Sequence, residues 1–311
     1  MTARIAVTGS LNMDLVVRAP RIPRPGETII GSAYQQIPGG KGANQAVAAA
    51  RLGAQVSMVG RLGRDAFGNQ LLEGLAAAGI DRAFVMQDGE TPTGVALIVV
   101  DETGQNSIVV ASGANMRLSP ADVDAAESAI AGSDILLLQL ESPLDAVIRA
   151  AELAQRHDVT VILNPAPARP LPDRLLAMID VLIPNESETA ILTGTSVESL
   201  DQAGSAAASL LQLGVGAVVL TLGDRGAMLA QESRMEVVAA FQVQAVDTTA
   251  AGDAFVSGMA VAQAEGMDLI DAVKWGNAAG ALATTVHGAQ PSLPTRRALE
   301  QLLASAQPGI T

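Results

Sequence analysis

The stretch from Val246 to Phe255, VDTTAAGDAF, has the residue types that bind an anion at the start of a helix. Small and apolar residues recur at helical spacing from Ala251 to Ala264, which predicts a helix there. The turn before it carries no bulky side chain, so the free N–H groups of the first helical turn are accessible. Gly252 also lets a ligand approach the main chain closely. The pattern therefore predicts an anion site at this turn.

Asp253 stands in the first turn of that predicted helix, beside the predicted anion. Phosphate binding alone does not explain a carboxylate at this place. A role as the base that takes a proton from a hydroxyl attacking the phosphate does explain it. The alternative is an ordinary first-turn acid that stabilises the helix dipole, and this stretch taken alone favours that alternative.

A second glycine-rich loop, PGGKGANQ from Pro38 to Gln45, precedes an alanine-rich helical pattern. It is not a P-loop, because Gln35 stands where the first Gly is needed and Gly42 stands where Ser or Thr follows the Lys. It is not the dinucleotide pattern either, because Gln45 replaces the last Gly. The loop therefore offers Lys41 and an Asn to a ligand. A plain turn before a helix is the alternative, which the density of glycines disfavours.

Polar side chains follow the apolar strand patterns at one end. Asn12 and Asp14 follow the pattern Arg4 to Gly9, and Glu141 follows Ile135 to Leu138. In parallel α/β sheets, ligands bind beyond the carboxyl ends of the strands. These side chains are therefore placed to contact a polar ligand, although an Asx turn explains Asn12 and Asp14 equally well. Later strand ends carry Asn164, Asn185, Glu186, Glu188 and the run Thr221 to Gly226.

Alternating strand and helix patterns predict an α/β fold with a mainly parallel central sheet and helices on both faces. Two stretches interrupt this alternation. The first, Leu15 to Pro38, contains short strand patterns and turns, and the second is a hairpin of Thr93 to Val100 with Asn106 to Ala111. We pair them as one small sheet. The expectation is a single domain, 1–311, with a lid from about 12–37 and 92–112.

Several element boundaries are expectations to be tested. Phe241 to Val246 is interpreted as a strand end leading into the anion site. Pro120 to Ala131 is predicted as one helix with Ser119 as its N-cap. Helical patterns also cover Leu269 to Val286 and Thr295 to Ala304.

Composition restricts the class of protein. The net charge of −13 argues against a broad nucleic-acid surface, so we expect no nucleic-acid partner. Apolar runs are all interrupted before reaching the length of a membrane span, and the N-terminus lacks a signal-peptide pattern, so we expect a cytoplasmic protein with no membrane partner. Without cysteine there is no disulfide framework, and neither His157 nor His287 has a second ligand at metal spacing.

The two glycine-rich segments together resemble a known family. Gly39 to Asn44 and Asp247 to Asp253 look like the two signatures of the ribokinase (phosphofructokinase-B type) carbohydrate kinases, and the similarity runs from Ile5 to about Leu303. Segments that look specifically like those of ribokinases are Asn12 to Asp14, Gln139 to Pro143, Asn164 to Ala168, Asn185 to Glu188 and Gly288 to Ser292. Much of the wider family has Gly where this chain has Ala250, and ribokinases share that Ala.

This resemblance implies a ribokinase-like three-layer fold and ATP-dependent phosphorylation of the 5-hydroxyl of D-ribose to give ribose 5-phosphate and ADP. Asp253 is implied as the base, and Ala250, Ala251 and Gly252 as the anion hole. The implied sugar-binding residues are Asn12, Asp14, Gly40, Lys41, Gly42, Ala43, Asn44, Glu141 and Asp253. The implied ATP-binding residues are Asn185, Thr221, Leu222, Gly223, Asp224, Arg225, Gly226, Gly252, Asp253 and Asn277.

The resemblance also implies two cations. Glu188 acts on Mg²⁺ through water, and a potassium ion lies behind the anion-binding turn, where it fixes the shape of that turn. The implied potassium positions are Asp247 and Thr249, with the backbone carbonyls of Ala283, Val286, Gly288 and Ser292. A homodimer formed through the lid is implied as well, since a small apolar sheet would otherwise leave its edges unprotected.

Three alternatives remain open. A kinase for nucleosides needs an aromatic slot for the base, and this chain has only one Trp, one Tyr and four Phe. All of these except Tyr34 fall in predicted helices or strands of the main body, which favours packing roles. Fructose or another hexose is harder to separate from ribose. A catalytically silent sensor is the third alternative, and the joint presence of Asp253, Lys41 and Glu188 argues against it.

Overall fold

The computed structural model describes residues 2–232 and 234–305. Its strands, numbered in chain order, are β1 (Arg4–Thr8), β2 (Asn12–Arg18), β3 (Ala33–Gly39), β4 (Gln55–Gly63), β5 (Asp81–Asp88), β6 (Gly94–Val100), β7 (Asn106–Ala111), β8 (Ile135–Leu138), β9 (Thr160–Leu163), β10 (Val181–Leu182), β11 (Ala217–Thr221), β12 (Ala227–Gln231) and β13 (Arg234–Val238).

In this described part of the chain, nine strands form the large sheet in the order β13-β12-β11-β10-β9-β8-β1-β4-β5. The pairings from β11 through to β5 are all parallel, and only β11–β12 and β12–β13 are antiparallel. The predicted mainly parallel sheet is therefore confirmed. Because parallel strands end at the same edge, the polar residues that follow them gather there.

The α-helices are α1 (Lys41–Arg51), α2 (Ala66–Ala77), α3 (Pro120–Ala125), α4 (Glu127–Ala131), α5 (Leu144–Arg156), α6 (Asp173–Leu176), α7 (Glu186–Thr193), α8 (Leu200–Leu211), α9 (Ala251–Ala264), α10 (Leu269–Ala283), α11 (Ala289–Ser292) and α12 (Arg296–Ser305). Short 3₁₀ turns cover Gly113–Arg117 and Gly223–Arg225. No helix of the described residues is long and apolar enough to cross a membrane.

The helices bury the two faces of the large sheet in two separate cores. Alternate residues of one strand enter different cores: Ile5 and Val7 pack with α1, α9 and α10, whereas Ala6 packs on the opposite face with α5 and α8. This alternation follows from the pleat of a strand. A sheet covered on both faces is the three-layer arrangement that the sequence predicted.

The small sheet stands apart with the order β3-β2-β6-β7. The predicted hairpin of β6 and β7 is confirmed by its antiparallel register from Val95–Ala111 to Val100–Asn106. The parallel pairing of β2 with β6 joins this hairpin to the first interruption of the alternating pattern. The small separate sheet is therefore confirmed, whereas its action as a lid stays a prediction.

Three expected boundaries were wrong. Phe241 to Val246 forms no strand and is irregular; the last strands on that side of the sheet are the β12–β13 hairpin, which the sequence analysis missed. The predicted helix from Pro120 to Ala131 is interrupted at Ala126, although the capping box at Ser119 is present. Helix α10 ends at Ala283, before the predicted Val286.

Glycines let α9 and α10 pack closely, and this packing places the start of α9. A Cβ at Gly258 of α9 would lie 2.8 Å from Ala279 Cβ and 2.9 Å from the Trp275 carbonyl. A Cβ at Gly276 of α10 would lie 3.0 Å from the Phe255 carbonyl. Side chains at these positions would force the two helices apart.

We expect Gly258→Val to lower the free energy of unfolding by about 1–3 kcal/mol, because it overpacks the α9–α10 contact. The matched control is Gly74→Ala in α2, where a Cβ meets nothing within 4 Å. That change should be neutral or stabilising by up to about 1 kcal/mol, since Ala is the better helix former. Urea unfolding curves check both values. Equal stability of the Gly258 variant and wild type would contradict the close packing.

Candidate active site

Two helix starts meet at the carboxyl edge of the large sheet. Helix α1 begins after Gly40, whose φ of 87° is left-handed, and a Cβ there would lie 2.7 Å from the Asn12 backbone nitrogen. Helix α9 begins after Ala250, which has φ 60° without being a glycine. Strained backbone of this kind is held in place by its surroundings and is common at functional sites. The helix starts at Lys41, so most of the predicted glycine loop is in fact its first turns.

Asp253 lies buried between side chains of α1. Its Oδ2 accepts a hydrogen bond from Asn44 Nδ2 at 2.9 Å, and its Oδ1 accepts one from Gln45 Nε2 at 3.1 Å. Burial raises the pKa of Asp253, while the charge of Lys41 and the two amides oppose this rise and Glu141 adds to it. A carboxylate with a raised pKa is a stronger base, which suits proton abstraction near neutral pH.

Lys41 brings a positive charge to the same place. Burial lowers the pKa of Lys41, but the charges of Asp253, Glu141 and Glu188 together outweigh burial and raise it above its usual value. The ammonium group therefore stays charged between three carboxylates. It lines a cavity of about 210 Å³ together with Asp253 and Glu188.

The predicted sugar residues converge beside this centre. Glu141 Oε2 accepts hydrogen bonds from the Ser10 hydroxyl and from the Lys41 backbone N–H, the latter at 3.1 Å. The Asp14 carboxylate lies against Gly39, where a Cβ would come within 2.3 Å of its Oδ2. Burial raises the pKa of Asp14 to about 7, with smaller contributions from the charges of Glu141 and Asp253. These carboxylates are therefore close enough to interact electrically.

Two of the predicted sugar residues, Gly42 and Ala43, pack closely against Ser10, and their contact with a sugar stays a prediction. Ala43 is buried in the core, and its N–H donates to the Ser10 carbonyl at 2.9 Å. Gly42 packs so closely that a Cβ would lie 2.6 Å from the Ser10 backbone nitrogen.

Asn12 is held by a residue that sequence reasoning missed. Asn115 donates through Nδ2 to Asn12 Oδ1 at 2.8 Å and to the Leu11 carbonyl at 3.0 Å, and it accepts from the Leu11 N–H at 2.9 Å. Asn115 follows the small sheet in sequence, and Asn12 begins it. Ser10, Gln45 and Asn164 were also given no role. Gln45 lay in the glycine-rich loop and Asn164 in the segment Asn164 to Ala168, so the sequence carried a signal that could have singled out both.

A larger pocket of about 620 Å³ adjoins the Asp253 cavity. Asn185, Thr221, Thr248 and Gly252 line both, so the two are continuous at the turn predicted to bind an anion. The predicted ATP-binding residues that line the larger pocket are Asn185, Thr221, Gly223, Asp224, Gly226, Gly252 and Asn277.

Three other predicted ATP-binding residues do not themselves line the larger pocket. Leu222 is buried in the core on the other face of the sheet, because its side chain points away from the pocket edge. Arg225 pairs with Glu186. Asp253 lines the smaller cavity. Phe241 lines the larger pocket from an irregular segment, so packing in a strand is not its role.

Two sets of hydrogen bonds hold the other wall of the larger pocket. The Asn277 amide donates to the Val238 carbonyl at 2.9 Å and the Ala239 carbonyl at 3.2 Å, which fixes the segment leading to Phe241. Asn185 and Glu188 form a reciprocal capping box at the start of α7, each bond 2.8 Å long. Burial raises the pKa of Glu188, while its hydrogen bond from Asn185 and the charge of Lys41 oppose this.

Several hydrogen bonds hold the loop just before the turn that is predicted to bind an anion. Asp247 Oδ1 accepts from the Thr249 N–H and hydroxyl at 2.9 and 2.7 Å, and Asp247 Oδ2 accepts from the Gly288 N–H at 2.9 Å. Partial burial acts to raise the pKa of Asp247, but these bonds and the nearby His287 outweigh it and lower the pKa. The Thr284 carbonyl also accepts the N–H of Asp247 at 3.1 Å, so the two predicted potassium loops are in contact.

The other predicted potassium positions lie on the second of these loops or next to it. Ala283 is the last residue of α10, Val286 lies in the turn that follows, and Ser292 ends α11 with its hydroxyl donating to the Ala289 carbonyl at 2.8 Å. No cluster of three or more His, Cys, Asp or Glu able to hold a metal occurs among residues 2–232 and 234–305.

Residues 2–296 match the model of the pfkB family carbohydrate kinases. The chain belongs to the pfkB family. This confirms the recognised family and the predicted class of enzyme, an ATP-dependent sugar kinase.

Individual members of the pfkB family are similar over nearly the whole chain. Ribokinase of Haemophilus influenzae is 44% identical over 306 residues, which cover 98% of this chain and 100% of that protein. Deoxyribokinase of Salmonella typhimurium is 38% identical over 301 residues, covering 96% and 98%. The structure of Arabidopsis thaliana ribokinase complexed with ribose and ATP has a TM-score of 0.92 at 37% identity, covering 97% of this chain and 99% of that one. The predicted ribokinase-like fold is confirmed.

We expect Asp14→Asn to remove a pH dependence of stability. An Asp in an unfolded chain titrates near about pH 4, whereas the pKa of Asp14 in the folded protein is about 7. Between these values the folded state keeps a proton that the unfolded state has lost, so the free energy of unfolding of wild type falls as pH rises and then levels off. The variant should gain stability relative to wild type across this window, by up to about 1.4 kcal/mol per unit of pKa difference.

Urea unfolding at several values between about pH 5 and 8 measures this difference. Asp101→Asn in the β6–β7 turn is the matched control, because hydrogen bonds from Thr103 lower the pKa of Asp101 and its titration lies below the window. Its stability difference from wild type should be constant there. A constant difference for the Asp14 variant as well would contradict the raised pKa.

Proposed function

We propose that this kinase transfers the terminal phosphoryl group of ATP to the 5-hydroxyl of D-ribose, giving ribose 5-phosphate and ADP. The observation that carries this proposal is the place of Asp253, which lines the smaller cavity with Lys41 and Glu188 where that cavity joins the larger pocket. The carboxylates of Asp14 and Glu141 lie close enough for their charges to act on each other and on Asp253. The full-length similarity to ribokinases, one of them in a structure with ribose and ATP, supports the choice of sugar.

The roles of the side chains follow from their chemistry. Asn12, Asp14, Asn44, Glu141 and Lys41 offer the carboxylates, amides and ammonium that suit sugar hydroxyls, which both donate and accept hydrogen bonds. The nucleotide lies in the larger pocket, with its phosphates toward Gly252. Asp253 takes the proton of the attacking hydroxyl, and the N–H groups of Ala250, Ala251 and Gly252 receive the developing negative charge.

The chain also has residues suited to two cations. Glu188 uses one carboxylate oxygen for its capping bond and lines the cavity between the phosphate end and Asp253, so it is placed to hold Mg²⁺ through water. A magnesium ion that takes its other ligands from phosphates and water needs few protein carboxylates, and when bound it neutralises phosphate charge.

Potassium is proposed at the oxygen-rich loops behind the anion-binding turn. Asp247 and Thr249 with the carbonyls of Ala283, Val286, Gly288 and Ser292 provide the neutral and charged oxygens that suit such a cation. A cation there stabilises the shape of the turn and does not contact the sugar.

A second candidate substrate is 2-deoxyribose. The deoxyribokinase similarity favours it, since that relative covers almost the whole chain. Hexoses and nucleosides are the other acceptors to compare. The fold and the proposed mechanism are the same for each of these acceptors. An assay is therefore needed to show which acceptor is the substrate.

We propose further that the chain is a single domain whose small sheet closes over the sugar and pairs with the same sheet of a second copy. Apolar side chains are exposed on both faces of this sheet: Leu97 and Val109 on one, Ile108 and Val110 on the other. A dimer would cover them. The cytoplasmic location stays a prediction from the sequence.

The first experiment measures ADP release from MgATP with D-ribose, 2-deoxyribose, fructose and adenosine, each in potassium and in sodium. We expect turnover with ribose that rises with potassium. Turnover with another sugar alone would replace the substrate and keep the mechanism. No turnover with any of them would support the silent-sensor alternative.

In the same assay Asp253→Asn should lower kcat by roughly 10²–10⁴-fold, because the amide accepts no proton from the hydroxyl. Ribose binding, measured by calorimetry, should persist. Near-normal turnover of this variant would contradict the role of Asp253 as base.

The proposed dimer is tested by light scattering at micromolar concentration. Val109→Lys should yield a monomer, because it places a charge on an exposed apolar face of the small sheet. Ile191→Lys is the matched control: Ile191 is also exposed, on α7 in the main body. It should leave the dimer intact. A wild-type monomer, or a dimer in both variants, would contradict pairing through the small sheet.

A further inference from the structure

A line of three buried side chains runs behind the proposed catalytic carboxylate. Gln45 Nε2 donates to Asp253 Oδ1 at 3.1 Å, and Gln139 Nε2 donates to Gln45 Oε1 at 2.5 Å. Both glutamines are fully excluded from solvent. The three residues come from three different elements: Asp253 from α9, Gln45 from α1, and Gln139 from the position just after β8.

Asp253 determines the orientation of both amides. An ionised carboxylate only accepts hydrogen bonds, so Gln45 must turn its NH₂ group toward Asp253. The Gln45 oxygen then faces Gln139, which must in turn present its own NH₂ group. A rotation of either amide by half a turn would bring two acceptors together inside the protein, where an unsatisfied polar contact is costly.

At the far end of this line, the Gln139 side chain occupies the space next to Gly9. Its Oε1 has no hydrogen-bond partner among the described residues, and a Cβ at position 9 would lie 2.0 Å from it, so Gly9 leaves the space that it needs. The Gln45 backbone is held as well, since the Ser257 hydroxyl donates to its carbonyl at 2.9 Å. Within the described residues, the only hydrogen bond of the Gln139 side chain is therefore the one that its NH₂ group donates to Gln45.

We propose that Gln45, oriented by Gln139, is a positioning residue that holds the Asp253 carboxylate in one rotation and in its proton-accepting form. Gln45 does not touch the sugar, because it is fully buried behind Asp253. This inference rests on the proposed function, in which Asp253 is the base.

The inference predicts effects on catalysis with little effect on binding. Lys41, Asn44, Glu141, Glu188 and Asp14 also face Asp253 and stay unchanged when Gln45 is altered. Loss of the Gln45 amide removes one of the two neutral donors to the carboxylate. Asp253 should then protonate at higher pH and rotate more freely, so fewer enzyme molecules have a competent base at a given moment.

The test uses Gln45→Met, Gln139→Met and the double variant, since Met keeps the length of Gln without its amide. We expect Gln45→Met to lower kcat by about 10–100-fold, with KM for ribose within about twofold of wild type. The acid limb of its kcat–pH profile should move to higher pH. Gln139→Met should show the same effects more weakly, and the double variant should match Gln45→Met, because residues that act in series are not additive.

Gln263→Met is the matched control. Gln263 also has a side-chain oxygen without a partner in the described residues, but it lies near the other end of α9. It should leave kcat and the pH profile unchanged. Ribose binding by calorimetry and thermal unfolding of every variant show whether the fold persists, and if Gln45→Met does not fold, Gln139→Met alone still tests the orientation.

The outcomes separate this inference from the proposed function. A wild-type enzyme without ribose-dependent ADP release would remove the proposed function. An active wild type with unchanged kcat and pH profile in both folded glutamine variants would overturn the positioning role alone. Strictly multiplicative losses in the double variant would show that Gln139 does not act through Gln45.

Discussion

The whole site depends on keeping one buried carboxylate charged. Asp253 is almost fully excluded from solvent, and an isolated carboxylate in such a place would take up a proton instead of staying ionised. Lys41, Asn44 and Gln45 oppose this with one cation and two amide donors. Because they occupy positions i, i+3 and i+4 of α1, one face of one helix supplies all three. The glycine-rich motif is therefore also a charge-compensating motif.

The same constraint explains why two helix starts are held so closely. The first turn of α1 lies against the first turn of α9. The residue before each helix, Gly40 and Ala250, has a left-handed backbone conformation. Ala250 is strained there, and the close packing of α9 on α10 through Gly258 holds it in place. The segment that leads into Ala250 also lines the larger pocket through Phe241 and Thr248. One irregular segment thus shapes this pocket and leads into the helix that carries Asp253.

Local patterns predicted elements well where the signal was local. Helix α9 from Ala251 to Ala264 follows its apolar spacing, and the Ser119 capping box follows its short motif. The failures lie where tertiary structure decided. Phe241 to Val246 has an apolar composition that suits a strand, but β13 is already the last strand of the sheet, and this segment instead runs along the larger pocket. Leu222 is a different case: it follows a strand in a polar run, and the alternation of the strand turns its side chain into the core, while its role in ATP binding stays a prediction.

The sequence by itself determined the family, the fold class, the base Asp253 as a candidate and the two loops that form the site, because each of these depends on residue types at fixed short spacing. Only the tertiary structure decided which distant side chains form hydrogen bonds with the residues of these loops. Asn115 orients Asn12 across more than a hundred residues of chain, and Gln139 reaches Gln45 from the end of another strand. The raised pKa of Asp14 likewise comes from burial and from carboxylates on other elements. Hydrogen bonds and electrostatic interactions depend on distance in space. A short motif therefore does not show which residues distant in sequence lie next to it after folding.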